Sequence, residues 1–130
     1  MTAIQAVGLY AGLNILLIFI LSIRVSLRRR GAKISLGDGG DDIMLRRVRA
    51  HANAVETIPA ALVGLALMAA MSAPVLAIHA IGAGLTLGRV LHAMGLSANS
   101  GPSMGRVTGS SLTLLVYLAL AIGLIGHALI

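Results

Sequence analysis

Charged side chains are absent from three long stretches of the chain. Residues 1–23, 57–88 and 107–130 contain no Asp, Glu, Lys or Arg. A bilayer core is crossed by about 20 apolar residues in helical form. The first stretch therefore predicts a span over about 3–27, and the last a span over about 104–129. The middle stretch, with the residues before it, is too long for one helix. Ser72-Ala73-Pro74 interrupts it, because proline lacks an N–H and disfavours helix at the residue before it. Helices over about 42–71 and 74–96 follow. Asp41 and Asp42, after Gly39-Gly40, are suited to cap the second helix, and Pro102-Ser103 marks the start of the fourth. The expected fold is all-α: an integral membrane bundle of four helices joined by short loops, in a single domain.

Composition agrees. Of 130 residues, 58% are hydrophobic and 11% charged, against about 45–50% and 25% in a soluble domain. This excludes a disordered chain and an ordinary soluble enzyme. The chain has no cysteine, so disulfides, thiolate metal sites and a cysteine nucleophile of its own are excluded. Aromatics are only 2%, so the net charge of +6 reads as membrane topology and not as nucleic-acid binding. Arg24, Arg28, Arg29, Arg30, Lys33, Arg46 and Arg47 surround the first loop. That loop is expected on the cytoplasmic side, with both termini on the far side. The positive charges follow residues 1–23 and do not precede them, the pattern of a signal anchor. The pairs Gly8/Gly12 and Gly84/Gly88 and the series Gly101/Gly105/Gly109 have the small-xxx-small spacing that lets helices approach closely in lipid.

Polar groups inside the spans carry the functional signal, because they are expensive there. Arg46, Arg49, Asn53 and Glu56 fall within about an 80° arc of helix 2. Arg89 and His92 share a face of helix 3. Arg106, Ser110, Thr113 and Tyr117 form a stripe down helix 4, and Tyr10, Asn14 and Arg24 share a face of helix 1. Five arginines (Arg24, Arg46, Arg49, Arg89, Arg106) lie toward the cytoplasmic end against one intramembrane acid, Glu56. If they converge, they form a pocket for an anion with planar carboxylates, whose geometry the guanidinium fork matches. Each residue also has a structural reading. Arg28 to Arg30 and Lys33 read as topology signals and headgroup contacts, Arg24 as a snorkelling helix end, and Glu56 with Arg49 as an ion pair. Ser110 and Thr113 are able to bond the preceding turn. Tyr117, His51, His79 and His127 read as packing or interfacial groups. The four histidines lack metal-ligand spacing, and no metal is expected.

The run Arg46-Arg47-Val48-Arg49-Ala50-His51-Ala52-Asn53-Ala54-Val55-Glu56-Thr57-Ile58-Pro59 resembles the signature of the membrane-associated proteins in eicosanoid and glutathione metabolism. That family includes microsomal glutathione transferase, leukotriene C synthase and microsomal prostaglandin E synthase. The pattern Arg-x-x-x-Asn-x-x-Glu followed closely by Pro is its most specific feature. Leu36-Gly37-Asp38-Gly39-Gly40 resembles the loop of bacterial members, Arg89-Val90-Leu91-His92 resembles a third-helix segment, and Pro then Arg opens helix 4. The resemblance implies a homotrimer in the bacterial inner membrane, binding glutathione as co-substrate between subunits near the cytoplasmic face. By motif position, Arg49, Asn53 and Glu56 hold the tripeptide, with Glu56 on its amine. Arg24, Arg46, Arg89 and His92 line the same pocket, and Ser110 and Tyr117 fall near it. Arg106 takes the place of the arginine that stabilises the thiolate. The implied activity is transfer of the glutathione thiol to a lipophilic electrophile, or reduction of a hydroperoxide. Thr57, Ala52 and Leu96 stand where other members carry aromatic or basic residues. Two rival readings stay open: a non-catalytic protein of the same fold that binds glutathione, lipid or an anion, and a small four-span transporter.

Overall fold

A computed structural model describes residues 1–129. Four helices follow in order: α1 Ala3–Ala32, α2 Asp42–Ala70, α3 Val75–Ala98 and α4 Met104–Leu129. Each is long and apolar enough to cross a membrane. The helix count and the position of each loop match the hydropathy pattern. α1 runs five residues beyond the expected end at 27, and α3 covers 75–98 where 74–96 was expected. The arginine run did not end α1 because its charges leave the bilayer as helix. Thirty residues span about 45 Å, more than the ~30 Å hydrocarbon core.

Local chemistry sets the helix ends. Thr2 and Gln5 form a capping box at α1. α1 closes on Lys33, a non-glycine residue in the left-handed region at φ 56°, with the Ile34 amide bonded back to the Arg29 carbonyl at 3.0 Å. Asp41 caps α2 as expected, accepting from the Met44 amide at 2.6 Å, and also pairs with Arg28. Those two bonds, the Arg28 contact first, hold its carboxyl below the usual carboxylate range. Pro59 lies inside α2 without ending it. It withdraws one N–H from the helix ladder.

α2 and α3 form the middle of the bundle. α1 packs on both from one side and α4 on both from the other, so α1 and α4 do not meet among the described residues. α3 and α4 approach backbone to backbone. A Cβ on Gly109 would lie 2.5 Å from the Gly88 carbonyl oxygen, and one on Gly95 would lie 2.5 Å from the Arg106 amide nitrogen. The spacings Gly84/Gly88 and Gly105/Gly109 thus mark a real crossing, whereas a Cβ on Gly8 or Gly12 would meet nothing within 4 Å among the described residues.

The interior is layered. Beside the α2–α3 turn lies an apolar core built around Leu65, Ile78, Leu85, Val116 and Leu120. Toward the other end a smaller cluster holds Leu21, Ala50, Ala54, Ile58 and Ala93. The buried polar groups are Asn14, Arg89, His92 and Thr113.

Candidate functional site

The polar stripe of α1 binds the bundle together. The Tyr10 hydroxyl meets His79 Nδ1 at 2.9 Å, Asn14 donates to the Thr86 hydroxyl at 2.9 Å, and Arg24 donates to the Ser97 hydroxyl at 3.2 Å. All three partners lie on α3. His79 is therefore a hydrogen-bonded packing group. Arg24 does not snorkel freely: it ties the end of α1 to the end of α3.

The other three stripes converge. At the end carrying the first and third loops, a cavity of about 240 Å³ is lined by Arg46, Arg49 and Asn53 of α2, His92 of α3 and Arg106 of α4, with Leu45, Leu96 and Ser100. A second, of about 550 Å³, shares His92, Ser100 and Arg106 and continues along α4 past Ser110 to Leu114. A third, of about 200 Å³, lies deeper among Asn53, Thr57, Arg89, Ser110, Thr113 and Tyr117. Shared walls make these one cleft between α2, α3 and α4. Tyr117 is thirteen residues into α4, about 20 Å along its axis, so the cleft reaches well below the membrane surface. Leu114, on its wall, is 66% exposed, which gives the cleft an apolar side.

Four arginines contribute unequally. Arg89 is 2% exposed. Its guanidinium meets Asn53 Oδ1 at 2.5 Å, His92 Nδ1 at 3.1 Å and Thr113 Oγ1 at 3.4 Å, and its Nε has no partner. All these partners are neutral, so a buried cation stands without a carboxylate. Arg46 pairs with Asp42 at 3.1 Å and donates to the carbonyls of Ser97 and Ala98. Arg106 donates to the carbonyls of Ser100 and Gly101 at 3.2 and 3.0 Å, fixing the third loop over the cleft. Arg49 is exposed and has no bonded partner among the described residues. The site is thus short of negative charge, as the sequence suggested.

Of the ten candidate residues, Arg46, Arg49, Asn53, Arg89, His92, Arg106, Ser110 and Tyr117 line the cleft. Arg24 and Glu56 do not. Glu56 is exposed on α2 and makes no ion pair with Arg49, contrary to the pairing weighed above. Thr113 bonds its preceding turn through the Gly109 carbonyl at 2.8 Å, and also receives Arg89. The Tyr117 hydroxyl donates to the Thr57 carbonyl at 2.5 Å, so it is a tie between α4 and α2 as well as a wall. Sequence reasoning missed Thr57, whose hydroxyl in turn bonds the Asn53 carbonyl at 2.7 Å. Its spacing four residues after Asn53, where a threonine hydroxyl reaches the carbonyl of the preceding turn, was the available signal. No group of residues suited to a metal ion occurs among those described.

Two comparisons bear on this arrangement. The chain is 37% identical over 88 residues to the inner membrane protein YecN of Escherichia coli strain K12, a match covering 68% of this chain and 67% of that protein. The YecN of Escherichia coli O6:H1 strain CFT073 matches to the same extent. Residues 7–126 match the profile of the MAPEG family. With four membrane-length helices, and Arg49 and Asn53 of the α2 signature gathered with His92 of α3 on one cleft, the chain belongs to the MAPEG family.

Proposed function

We propose that the protein is a glutathione-dependent membrane transferase or peroxidase, a multi-pass protein of the bacterial inner membrane. One observation carries this reading: a cleft rich in guanidinium and poor in acid, open at the loop end and apolar along α4. Glutathione is a substrate with two carboxylates and a thiol. Arg49 and the accessible edge of Arg46 suit its carboxylates, and Arg106 is the guanidinium assigned to its thiol. A free thiol has a pKa of about 8.5, and a guanidinium in a poorly solvated site favours the thiolate. The chain, having no cysteine, leaves the nucleophile to the bound thiol. A lipophilic electrophile would enter from the bilayer beside Leu114. The location is supported by the name of the Escherichia coli relatives, and the basic loop end suits the cytoplasmic face, with both termini opposite.

The unit we propose is a homotrimer. Glu56 is fourteen residues into α2, about 21 Å along the helix, and exposed on a single chain. An acid at that depth requires a partner away from lipid, and a neighbouring subunit supplies one. In that reading Glu56 meets the glutathione amine across the interface.

The test is turnover of a halodinitrobenzene with glutathione by the purified protein. The reading expects activity in the wild type, and loss of turnover with binding retained in Arg106→Ala. Glutathione affinity is expected to fall in Glu56→Gln. Native mass spectrometry checks the trimer. A second reading has support of its own: Arg106 is already engaged by two loop carbonyls, which suits a protein that binds glutathione or an anion without turnover. Tight glutathione binding without a thiolate absorbance band would select it.

A further inference from the structure

Two side chains on the cleft, Asn53 and His92, are able both to donate and to accept hydrogen bonds. Arg89, behind them, decides which end of each is free. A guanidinium has donors only. Its Nη2 therefore donates to Asn53 Oδ1 at 2.5 Å and to His92 Nδ1 at 3.1 Å. Its Nη1 faces Thr113 Oγ1, which has already given its own proton to the Gly109 carbonyl. Every contact in the network has a fixed direction. Asn53 accepts through its oxygen, so its NH2 is the end left over. His92 accepts through Nδ1, so the neutral ring carries its proton on Nε2. A doubly protonated ring would aim an N–H at a guanidinium. Neither the Asn53 NH2 nor His92 Nε2 has a partner among the described residues, and neither is among the sealed-off unbonded atoms.

We infer that Arg89 is a positioning residue that turns Asn53 and His92 into hydrogen-bond donors toward the cleft. The donors then favour acceptor groups, and the charge of Arg49 and Arg106 nearby narrows the preference to anionic ones, a carboxylate or a thiolate. His92 is thereby excluded as a base for the thiol, and thiol activation falls to the cationic field. Naming glutathione as the ligand rests on the proposed function; the polarity of Asn53 and His92 does not.

The test is nitrogen NMR of histidine-labelled protein in nanodiscs, with His92 assigned by its loss in His92→Gln. The expected spectrum has an unprotonated, accepting Nδ1 and a protonated Nε2. A protonated Nδ1 overturns the inference, and this measurement needs only the wild type. Arg89→Lys, which keeps a donor, is expected to retain the tautomer, and Arg89→Gln to give a mixture. In calorimetry with glutathione, Asn53→Asp, which replaces the free NH2 by a carboxylate oxygen, is expected to weaken binding at least tenfold. Unchanged affinity overturns the donor role of Asn53. Absence of glutathione binding by a wild type with the expected tautomer refutes the proposed function and upholds the positioning role of Arg89.

Discussion

The two ends of the bundle solve the problem of living in lipid in opposite ways. Beside the α2–α3 turn, Leu65, Ile78, Leu85, Val116 and Leu120 close on one another, and the polar pair Tyr10 and His79 satisfies itself. At the loop-rich end, Arg46, Arg49, Arg89 and Arg106 stand around cavities, bonded to backbone carbonyls, neutral side chains or nothing, apart from the pairing of Arg46 with Asp42. The first end is a clamp held by packing. The second is held partly by the same arginines that leave it short of negative charge. The difference teaches that stability and recognition are separable here: substitutions at the packed end should act on folding, and substitutions of the freer arginines should act on binding.

The largest effect is expected where the two ends share a backbone contact. Gly109→Val would drive its side chain into Gly88 and His92, and a loss of about 3 kcal/mol is expected from overpacking. Size-exclusion profiles and thermal midpoints in detergent check it; a normal midpoint would mean that the crossing is loose. Leu65→Ala, fully buried at the packed end, is expected to lose about 2–3 kcal/mol, with glutathione affinity unchanged in the folded fraction. Arg49→Ala reverses the pattern. Its stability should stay within about 0.5 kcal/mol of wild type, while affinity falls at least tenfold, or about 1.4 kcal/mol. Equal loss of both would erase the contrast between the ends.

Two smaller tests concern the helix ends around the first loop. Lys33→Gly removes the strain of a left-handed lysine and is expected to stabilise by about 1 kcal/mol, without effect on the cleft. Asp41 has a carboxyl held below its ordinary range by Arg28. A depressed folded-state value means that its contribution is fully present above the usual carboxylate range and is lost as pH falls through the lowered value. Thermal midpoints measured through the acid range should show that loss in the wild type and a smaller one in Asp41→Asn.

Most of the fold was legible because hydropathy in lipid leaves few solutions. Three charge-free stretches, the middle one with the residues before it divided at Pro74, make four helices, and the Asp41 cap places a further boundary. The end of α1 was not legible, because an arginine run is as helical outside the bilayer as leucine is inside it. In the site, the motif arginines, Asn53 and His92 were legible from spacing on single helices. The diversion of Arg24 to Ser97 was not, since a periodic stripe shows which residues share a face but not which helix that face meets. The same limit applies to Glu56, whose side of α2 became clear only when α1, α3 and α4 were packed around it.

The sequence by itself determined the number of spans, the clustering of positive charge at one end and the residue types able to bind an anion. These follow from the cost of burying polar groups in hydrocarbon, which acts on each segment separately. Tertiary structure alone decided which arginines are tied to carbonyls and which stay free. It also set the direction of every hydrogen bond around Arg89. Those outcomes depend on distances between groups on different helices, and the close glycine crossing of α3 and α4 sets those distances.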